Sequence, residues 1–208
     1  MSDKFAQVII DKYFQDNPLA LVQHHLDSYN DFFNDGIKRI FKEKNPIRIM
    51  KDQDPKTQEF KMKCNLHLGG KNGDKLYFGK PVIQDGGREH FMYPNEARLR
   101  NMSYSITIHY DVEVEYFLSE DGTPLEEPSY SHTIEKLFLG RFPIMLMSKL
   151  CILNGLTPNV RFEMGECRND YGGYFIIDGK EKCIISQEKF ADNMMYIRDN
   201  VNDLYSHS

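Results

Sequence analysis

Three carboxylates at alternate positions of one segment are the first candidates in this chain for metal chemistry. Residues 106–118 alternate apolar and polar side chains, which predicts a long strand with one dry and one wet face. Asp111, Glu113 and Glu115 fall on the wet face, where side chains two positions apart point the same way. The sequence supplies no third oriented partner for a pair of them. It therefore predicts a solvated acidic face rather than a metal site, and His109 on the same face is predicted to be a surface histidine.

A second group of candidates surrounds a predicted hairpin near the C-terminus. Asp178-Gly179 stands between two short apolar runs, and this dipeptide is a strong hairpin signal because both turn positions tolerate positive φ. Lys180 and Lys182 follow the turn directly, and Gln187 comes shortly after them. A hairpin that projects charge from a buried base is suited to gripping a ligand.

Self-sufficient catalysis is not indicated by the remaining residues. Ser148 and Ser186 lack the context of a nucleophile elbow, and no pair of histidines four residues apart accompanies a glutamate. There is no D-x-D-x-D loop for two-metal nucleotidyl transfer. The four cysteines are scattered without a C-x-x-C pair, which argues against a zinc site in this chain. A binding or scaffolding role is favoured.

Composition limits the classes that remain. The chain has 208 residues, 40% of them hydrophobic, which suffices for one sizeable core. Its formal net charge of -5 argues against a free-standing nucleic-acid coat but leaves room for a local basic face. No run approaches the ~18 apolar residues that span a bilayer. The N-terminus has no apolar signal segment, so we expect an intracellular protein with reduced cysteines.

The elements that would position these side chains are helices followed by strands. Residues 4–14 are predicted to form an amphipathic helix, and Asn17-Pro18 matches the start of a second helix that runs to about residue 43. Apolar side chains recur at helical spacing along that second helix and should face the core. From residue 45 onward short strands alternate with turns. The predicted fold is α+β, with N-terminal helices packed on a mixed, mainly antiparallel sheet.

Several loops are predicted from glycine and proline. Residues 69–75 lack the spacing of a phosphate-binding loop and are interpreted as a hairpin loop between two strands. Residues 85–87 form another turn, and residues 119–131 an acidic loop before a partner strand over 131–139. After Leu139 an apolar segment interrupted by Pro143 fits either a buried strand or a short helix. No linker divides the chain, so one unit over residues 1–208 is expected.

Five segments together resemble one family, the second-largest (β-type) subunit of multisubunit DNA-dependent RNA polymerases. They keep the same order and spacing along nearly the whole chain, which makes the resemblance specific. They are residues 26–32 (LDSYNDF), 93–104 (YPNEARLRNMSY), 139–151 (LGRFPIMLMSKLC), 166–179 (ECRNDYGGYFIIDG) and 182–188 (KCIISQE). The amino-acid sequence of these segments, together with residues 205–208, is most similar to that of versions from large DNA viruses.

The resemblance implies a place in a larger enzyme. Residues 1–208 would form the first part of the protrusion, a discontinuous domain on one wall of the DNA cleft, and would end near the start of the lobe. Such a piece would not catalyse by itself. Magnesium is expected on the largest subunit and zinc elsewhere in the complete polymerase, with no cofactor in this chain. The implied partners are the largest and other polymerase subunits, the DNA template and the RNA–DNA hybrid, without a membrane. The implied location is the nucleus for a cellular version, and the virion or host cytoplasm for a viral one.

The same resemblance implies candidate contacts with nucleic acid. Lys182 and Gln187 lie where the family approaches the hybrid, with Lys180 and Arg168 behind them. The alternative for Lys182 is an ion pair with Glu181 or Glu188.

Two arginines and one departure from the family pattern also bear on the site. Arg98 and Arg100 are predicted to share a face of an extended stretch and to bind acidic neighbours inside the domain. Met147 stands where the family has arginine, so no function is carried onto that position.

An alternative class stays open at this point. The chain could be an autonomous α+β interaction module that docks onto a polymerase as a regulator or decoy. A free nuclease or transferase would need carboxylate clusters that the sequence does not supply.

Overall fold

The long strand predicted over residues 106–118 is the centre of the main sheet. The computed structural model describes residues 3–53, 55, 60–118 and 127–195. The strands of the main sheet are β1 (Ile47–Gln53), β2 (Phe60–Leu68), β3 (Leu76–Phe78), β6 (Ser105–Leu118) and β7 (Tyr130–Pro143). β6 pairs with β2 and β3 along one edge and with β7 along the other, and β1 pairs with β2. All these pairings are antiparallel. The predicted α+β fold is confirmed.

Residues 69–75 do not form a hairpin loop, so that prediction is wrong. Leu68 is paired with Val112 and Leu76 with Tyr110, so β2 and β3 follow one another along the same edge of β6. The loop bulges outward between them and returns to the same edge. Gly73 (φ +72°) allows it to lie against a helix, since a Cβ at this position would stand 2.9 Å from the backbone nitrogen of Lys42.

The acidic face of β6 carries a network of ion pairs and hydrogen bonds. The prediction of a solvated acidic face is therefore wrong. Glu115 lies 2.6 Å from Lys71 Nζ and 3.3 Å from His67 Nε2, and only 9% of its surface is exposed. Asp111, also buried, accepts hydrogen bonds from the Tyr77 hydroxyl and a backbone N–H. The bulging loop supplies the lysine that neutralises Glu115. Burial of these carboxylates is tolerated because each has a donor.

We expect Glu115→Gln to weaken the dependence of chain stability on acid. The hydrogen bond from Lys71 lowers the pKa of Glu115 against the effect of burial, and His67 adds to the lowering. A carboxyl group with a lowered folded-state pKa contributes stability above its unfolded-state pKa and loses it as pH falls through the folded-state pKa. The parent chain should therefore lose this contribution below about pH 4.5. Urea unfolding at about pH 7 and about pH 3 measures it. Lys71→Met should flatten the profile in the same direction, and identical profiles for all three chains would contradict the assignment.

The N-terminal helices differ from their predicted start. α1 (Asp3–Asp16) is present, but Asn17 donates its side-chain amide to the Tyr13 carbonyl and so closes α1 instead of opening a second helix. Residues 18–22 form turns, and α2 (Gln23–Asp31) begins after them. A π-helical segment (Phe32–Gly36) joins α2 to α3 (Ile37–Lys44). The predicted apolar stripe does face the core, with Leu26, Phe33 and Ile37 buried.

The main core lies between these helices and the dry face of the sheet. Phe33 and Ile37 pack with Ile106 and Ile108 of β6 and with Ile144. After Pro143 the chain leaves β7 and runs through buried turns, so the apolar segment after Leu139 is a strand and then a turn rather than a helix. Shorter elements complete the described part: β4 (Val82–Asp85), β5 (Arg88–Phe91), α4 (Pro94–Leu99), α5 (Pro158–Glu163), β8 (Phe175–Ile177) and β9 (Lys180–Lys182).

Most of the predicted turns lie where expected. The turn over residues 85–87 joins β4 to β5, and β7 contains the strand predicted over 131–139. The acidic loop lies mostly outside the described residues, and residues 205–208, which contribute to the resemblance to viral versions, lie outside them too. No helix in the described segments is long and apolar enough to cross a membrane.

Candidate nucleic-acid interface

The hairpin predicted from Asp178-Gly179 is present as β8 and β9. Asp178 and Gly179 have φ values of 51° and 74°, the left-handed pair that a type I′ turn requires. Phe175 pairs with Lys182 and Ile177 with Lys180. Phe175 and Ile176 are buried, whereas all three residues of β9 are exposed. The hairpin therefore has a buried first strand and a charged outer strand, as its sequence indicated.

The turn of the hairpin is fixed to the segment that follows α4. Ser103 Oγ donates to the Asp178 carboxylate and accepts from the Asp178 backbone N–H. Gly179 donates its N–H to the Met102 carbonyl at 3.0 Å. A Cβ on Gly179 would lie 2.8 Å from the Asn101 Cα, so only glycine fits this contact. These bonds hold the outer strand in a defined position.

Arg98 joins α4 to both sides of the hairpin. Its Nη1 donates to both carboxylate oxygens of Glu166 at 3.0 and 2.8 Å, and its Nε donates to Glu181 at 2.8 Å. Its Nη2 donates to the Tyr174 hydroxyl at 2.7 Å, and that hydroxyl donates in turn to Asp170. Glu166 has 2% of its side chain exposed, so the guanidinium neutralises a carboxylate that has little water around it.

The protonation states of this cluster follow from its contacts. Burial acts to lower the pKa of Arg98, but the hydrogen bond and charge of Glu166 together with Tyr174 raise it overall. Burial, reinforced by the hydrogen bond to Asp170, raises the pKa of Tyr174. Arg98 is therefore a permanent cation and Tyr174 a neutral phenol at physiological pH. The cluster is a structural clamp and has no free group for proton transfer.

The prediction that Arg98 and Arg100 bind acidic neighbours within the domain is confirmed, but their backbone is not extended. Arg98 lies in α4 and Arg100 directly after it. Arg100 contacts Asp85 at 3.1 Å and Glu96 at 3.0 Å on a more exposed surface. Glu96 is four residues from Arg100, but Glu166 and Glu181, the partners of Arg98, lie more than 60 residues away, and the sequence gave no signal for them.

The four predicted contact residues occupy different parts of this region. Lys180 and Lys182 are exposed on the same side of β9, because strand residues two apart share a face. Gln187 is exposed beyond β9, where the chain has no regular secondary structure. Arg168 lies before the hairpin with its guanidinium 4.1 Å from the centre of the Phe162 ring.

The alternative reading of Lys182 as an ion-paired residue is not what the structure contains. Glu181 points to the other side of β9 and pairs with Arg98. In the described part of the chain, no ion pair joins Lys182 to Glu181 or Glu188. The Lys182 ammonium group is therefore free to contact an external anion.

The first turn of α2 lies against the hairpin and was not predicted to do so. Phe175 packs with Leu26, and a Cβ on Gly173 would lie 3.1 Å from Val22 Cβ. His25 Nε2 lies 3.9 Å from Cys183 Sγ, and His24 Nε2 lies 3.3 Å from Ser186 Oγ. More than 150 residues separate these partners in sequence. Nothing in the spacing of the sequence could have indicated their proximity.

Met147, the departure from the family pattern, also lies beside the glycines that precede the hairpin. Its Sδ is 3.4 Å from Nη1 of Arg161, which donates to the Asp170 carbonyl at 2.9 Å. Asp170 in turn accepts from the Gly172 N–H. An arginine from α5 thus stands next to Met147, and among the described residues it has no carboxylate partner.

Metal chemistry finds no ligand set here. Among the residues that the structure describes, no three histidine, cysteine, aspartate or glutamate side chains converge as ligands. The region offers exposed ammonium groups, an amide and hydrogen-bonding side chains on a rigid base. Such a surface can bind an anionic backbone.

Comparison with known proteins identifies the family. Residues 20–205 match the family profile described as RNA polymerase beta subunit. The chain is 33% identical over 199 residues to DNA-directed RNA polymerase II subunit RPB2 of Eremothecium gossypii, which covers 91% of this chain and 16% of that protein. It is 32% identical over 204 residues to DNA-directed RNA polymerase II subunit 2 of Arabidopsis thaliana, covering 92% and 16%. It is 34% identical over 195 residues to DNA-directed RNA polymerase subunit Rpo2N of Methanothermobacter thermautotrophicus, covering 93% and 32%.

The matched part is a small share of these relatives. The chain spans 16% of the length of the two eukaryotic proteins and 32% of the archaeal one. The match nevertheless extends over nearly all of the sequence, including every segment that supports the hairpin. The chain therefore belongs to the RNA polymerase beta subunit family and corresponds to the N-terminal region of the second-largest subunit.

Proposed function

We propose that this chain acts in transcription as the N-terminal part of the second-largest subunit of a DNA-directed RNA polymerase. Residues 1–208 would be the first part of the protrusion domain and form one wall of the cleft for DNA and the RNA–DNA hybrid. The observation that carries the proposal is Lys182, which has no ion pair among the described residues and lies on a hairpin with a buried first strand and a clamp from Arg98. A free ammonium group on a rigid support suits a sequence-independent contact with phosphate.

Catalysis in this proposal belongs to the assembled enzyme. The largest subunit would supply the magnesium site, zinc would be bound in other parts of the polymerase, and this chain would contribute neither. Its partners would be the largest subunit, other polymerase subunits, the template DNA and the hybrid. The role of the chain would be to hold nucleic acid in place.

Exposed apolar side chains support assembly with a larger complex. The apolar side chains of α1 are between 44% and 63% exposed, although a helix of this pattern usually buries them. These residues are Phe5, Val8, Ile9, Ile10, Tyr13 and Phe14. A second group after β9 includes Ile185 at 89% and Phe190 at 82% exposed. Surfaces of this kind mark interaction sites.

The compartment in which the chain acts depends on whether the chain comes from a cell or from a virus. A cellular version would act in the nucleus, in line with the eukaryotic relatives named RNA polymerase II subunits. The resemblance of the amino-acid sequence to viral versions supports a second possibility. In this proposal the chain comes from a large DNA virus and acts in the virion or the host cytoplasm. Detection of the chain in purified virions would distinguish the two.

Lys182→Ala is expected to weaken the hold of the assembled polymerase on a DNA–RNA scaffold and to reduce the salt dependence of binding. The slope of the logarithm of the association constant against log salt is negative. Losing one phosphate contact should reduce its magnitude by about 0.9. Dissociation constants measured at several salt concentrations test this. Lys61→Ala, at an exposed position of β2, is the matched control and should leave the slope unchanged. An unchanged slope for Lys182→Ala would contradict direct contact, and failure of the chain to copurify with a largest subunit would overturn the proposed function.

A further inference from the structure

Two adjacent histidines lie on the same surface as Lys182. His24 and His25 occupy the first turn of α2, and their ring centres are 4.0 Å apart. His25 reaches Cys183, the residue after Lys182, and His24 reaches Ser186, the residue before Gln187. The predicted contacts Lys182 and Gln187 are therefore neighbours in sequence of the two residues that the histidines touch.

The direction of the Lys182 side chain also places it on the face of the hairpin that packs against the α2 region. Lys182 is the cross-strand partner of Phe175, so the two side chains share one face of the hairpin. Phe175 packs against Leu26 and Val22 of the α2 region on that face. The lysine and the imidazoles thus belong to one continuous surface, although they come from opposite ends of the chain.

We infer that His24 and His25 are additional nucleic-acid-binding residues, which contact the phosphodiester backbone beside Lys182 when protonated. The inference rests on the proposed function, because it assumes that this surface faces nucleic acid. It adds two residues for which the sequence gave no signal, and it adds a property that lysine does not have, namely binding that strengthens as pH falls.

The chemistry of the contacts explains that property. A neutral imidazole has one donor and one acceptor nitrogen, and its acceptor can receive the Ser186 hydroxyl or the Cys183 thiol. A protonated imidazole has two donors and a positive charge, so it can bind a phosphate oxygen by a charge-assisted hydrogen bond. Histidine is the side chain that makes this change between about pH 5 and 8.

Few charged groups of the described residues surround the two histidines, so a change in the charge of the imidazoles should dominate any pH dependence of this surface. On the hairpin side the Cys183 thiol contacts His25 and Lys182 precedes it in the chain, with Glu181, which pairs with Arg98, and Glu188 as the acids that flank this segment. On α2 the nearest acid is Asp27, which accepts a hydrogen bond from Gln23. The turns over residues 17–22, which also adjoin the first turn of α2, contain no titratable side chain. Phosphate from a bound nucleic acid would add negative charge beside the two imidazoles.

The test uses the assembled polymerase and a DNA–RNA scaffold at constant ionic strength. For the parent complex the dissociation constant should rise about tenfold between about pH 6 and about pH 8 through these residues. The double variant His24→Gln/His25→Gln keeps hydrogen-bonding capacity but cannot be protonated, so most of this rise should disappear. The double variant His24→Arg/His25→Arg should bind as tightly at the higher pH as the parent does at the lower one. A purely structural role would not produce that result.

A control and two distinguishable failures complete the test. His90→Gln alters an exposed histidine that contacts Glu96 on another surface, and it should keep the parent pH dependence. If the His24→Gln/His25→Gln variant also keeps it, the inference is wrong while the proposed function stands. Should that variant fail to assemble, the His24→Arg/His25→Arg complex decides alone: parent-like pH dependence in it would overturn the inference. If no variant or parent chain enters a polymerase, the proposed function fails and the inference fails with it.

Discussion

Replacing Arg98 with methionine is expected to lower the free energy of unfolding of the chain by about 3–5 kcal/mol. Methionine retains the apolar length of the side chain but removes the donors that satisfy Glu166, Glu181 and Tyr174. Glu166 is the costly partner, because it would become a buried carboxylate without a counter-ion. Equilibrium unfolding in urea, followed by circular dichroism, measures the loss.

The matched control for this variant lies two residues away. Arg100→Met removes ion pairs to Asp85 and Glu96, but the arginine side chain is 37% exposed and Asp85 is 60% exposed. Pairs of that kind contribute less than about 1 kcal/mol. Adding Glu166→Gln to Arg98→Met should restore part of the stability, because the uncompensated charge is then gone. Equal losses for Arg98→Met and Arg100→Met would show that the buried clamp is no more important than a surface pair.

The parts of the fold that could be predicted from the sequence are those whose cause is local. The hairpin at Asp178-Gly179 needs two positive φ values, and the dipeptide itself supplies them. The strand over residues 106–118 follows from strict alternation of side chains, and its dry face does lie in the core. In both cases the information lies within a few residues of the element.

Errors arose where a local pattern has two structural outcomes. Asn17-Pro18 satisfies the rule for a helix start, yet Asn17 bonds back to Tyr13 and ends the preceding helix. The glycines of residues 69–75 allow a reversal or a bulge equally well. Only the length of β6, which accommodates β2 and β3 on one edge, decides for the bulge. Composition cannot convey which neighbouring strand a segment will find.

In the candidate site, too, only the features with a local cause could be predicted from the sequence. Lys180 and Lys182 could be proposed as candidate contacts because they adjoin a recognisable turn, and Lys182 also falls within a resembling segment. The partners of Arg98 and the proximity of His24 to Ser186 depend on contacts between segments far apart in the chain. The acidic side of β6 was misread for the same reason, since Lys71 reaches Glu115 only because the loop bulges. Long-range pairing therefore determines which charges are free to bind a ligand.

Gly172→Ala is expected to be the most damaging single-methyl addition near the hairpin, with a loss of about 2–5 kcal/mol in the free energy of unfolding. Gly172 has φ +75°, and a Cβ there would overlap the Leu146 carbonyl oxygen and lie 2.6 Å from Met147 Cγ. The Leu146 carbonyl cannot move freely, because it accepts the Gly173 N–H at 3.0 Å. The strand β8 begins two residues after Gly173, so the displacement would reach the base of the hairpin.

A second glycine separates the backbone strain of this substitution from its steric overlap. Gly87 has φ +81° but no atom within 4 Å of an added Cβ, so Gly87→Ala should lose only the about 1–2 kcal/mol of the left-handed conformation. The difference between the two variants therefore measures the close approach of Gly172 to the segment after Pro143. Because that approach supports β8, Gly172→Ala should also weaken scaffold binding by the assembled polymerase, whereas Gly87→Ala should not. Equal unfolding losses for the two variants would mean that the segment after Pro143 yields to the methyl group, and the hairpin would then lack the rigid base on which its lysines depend.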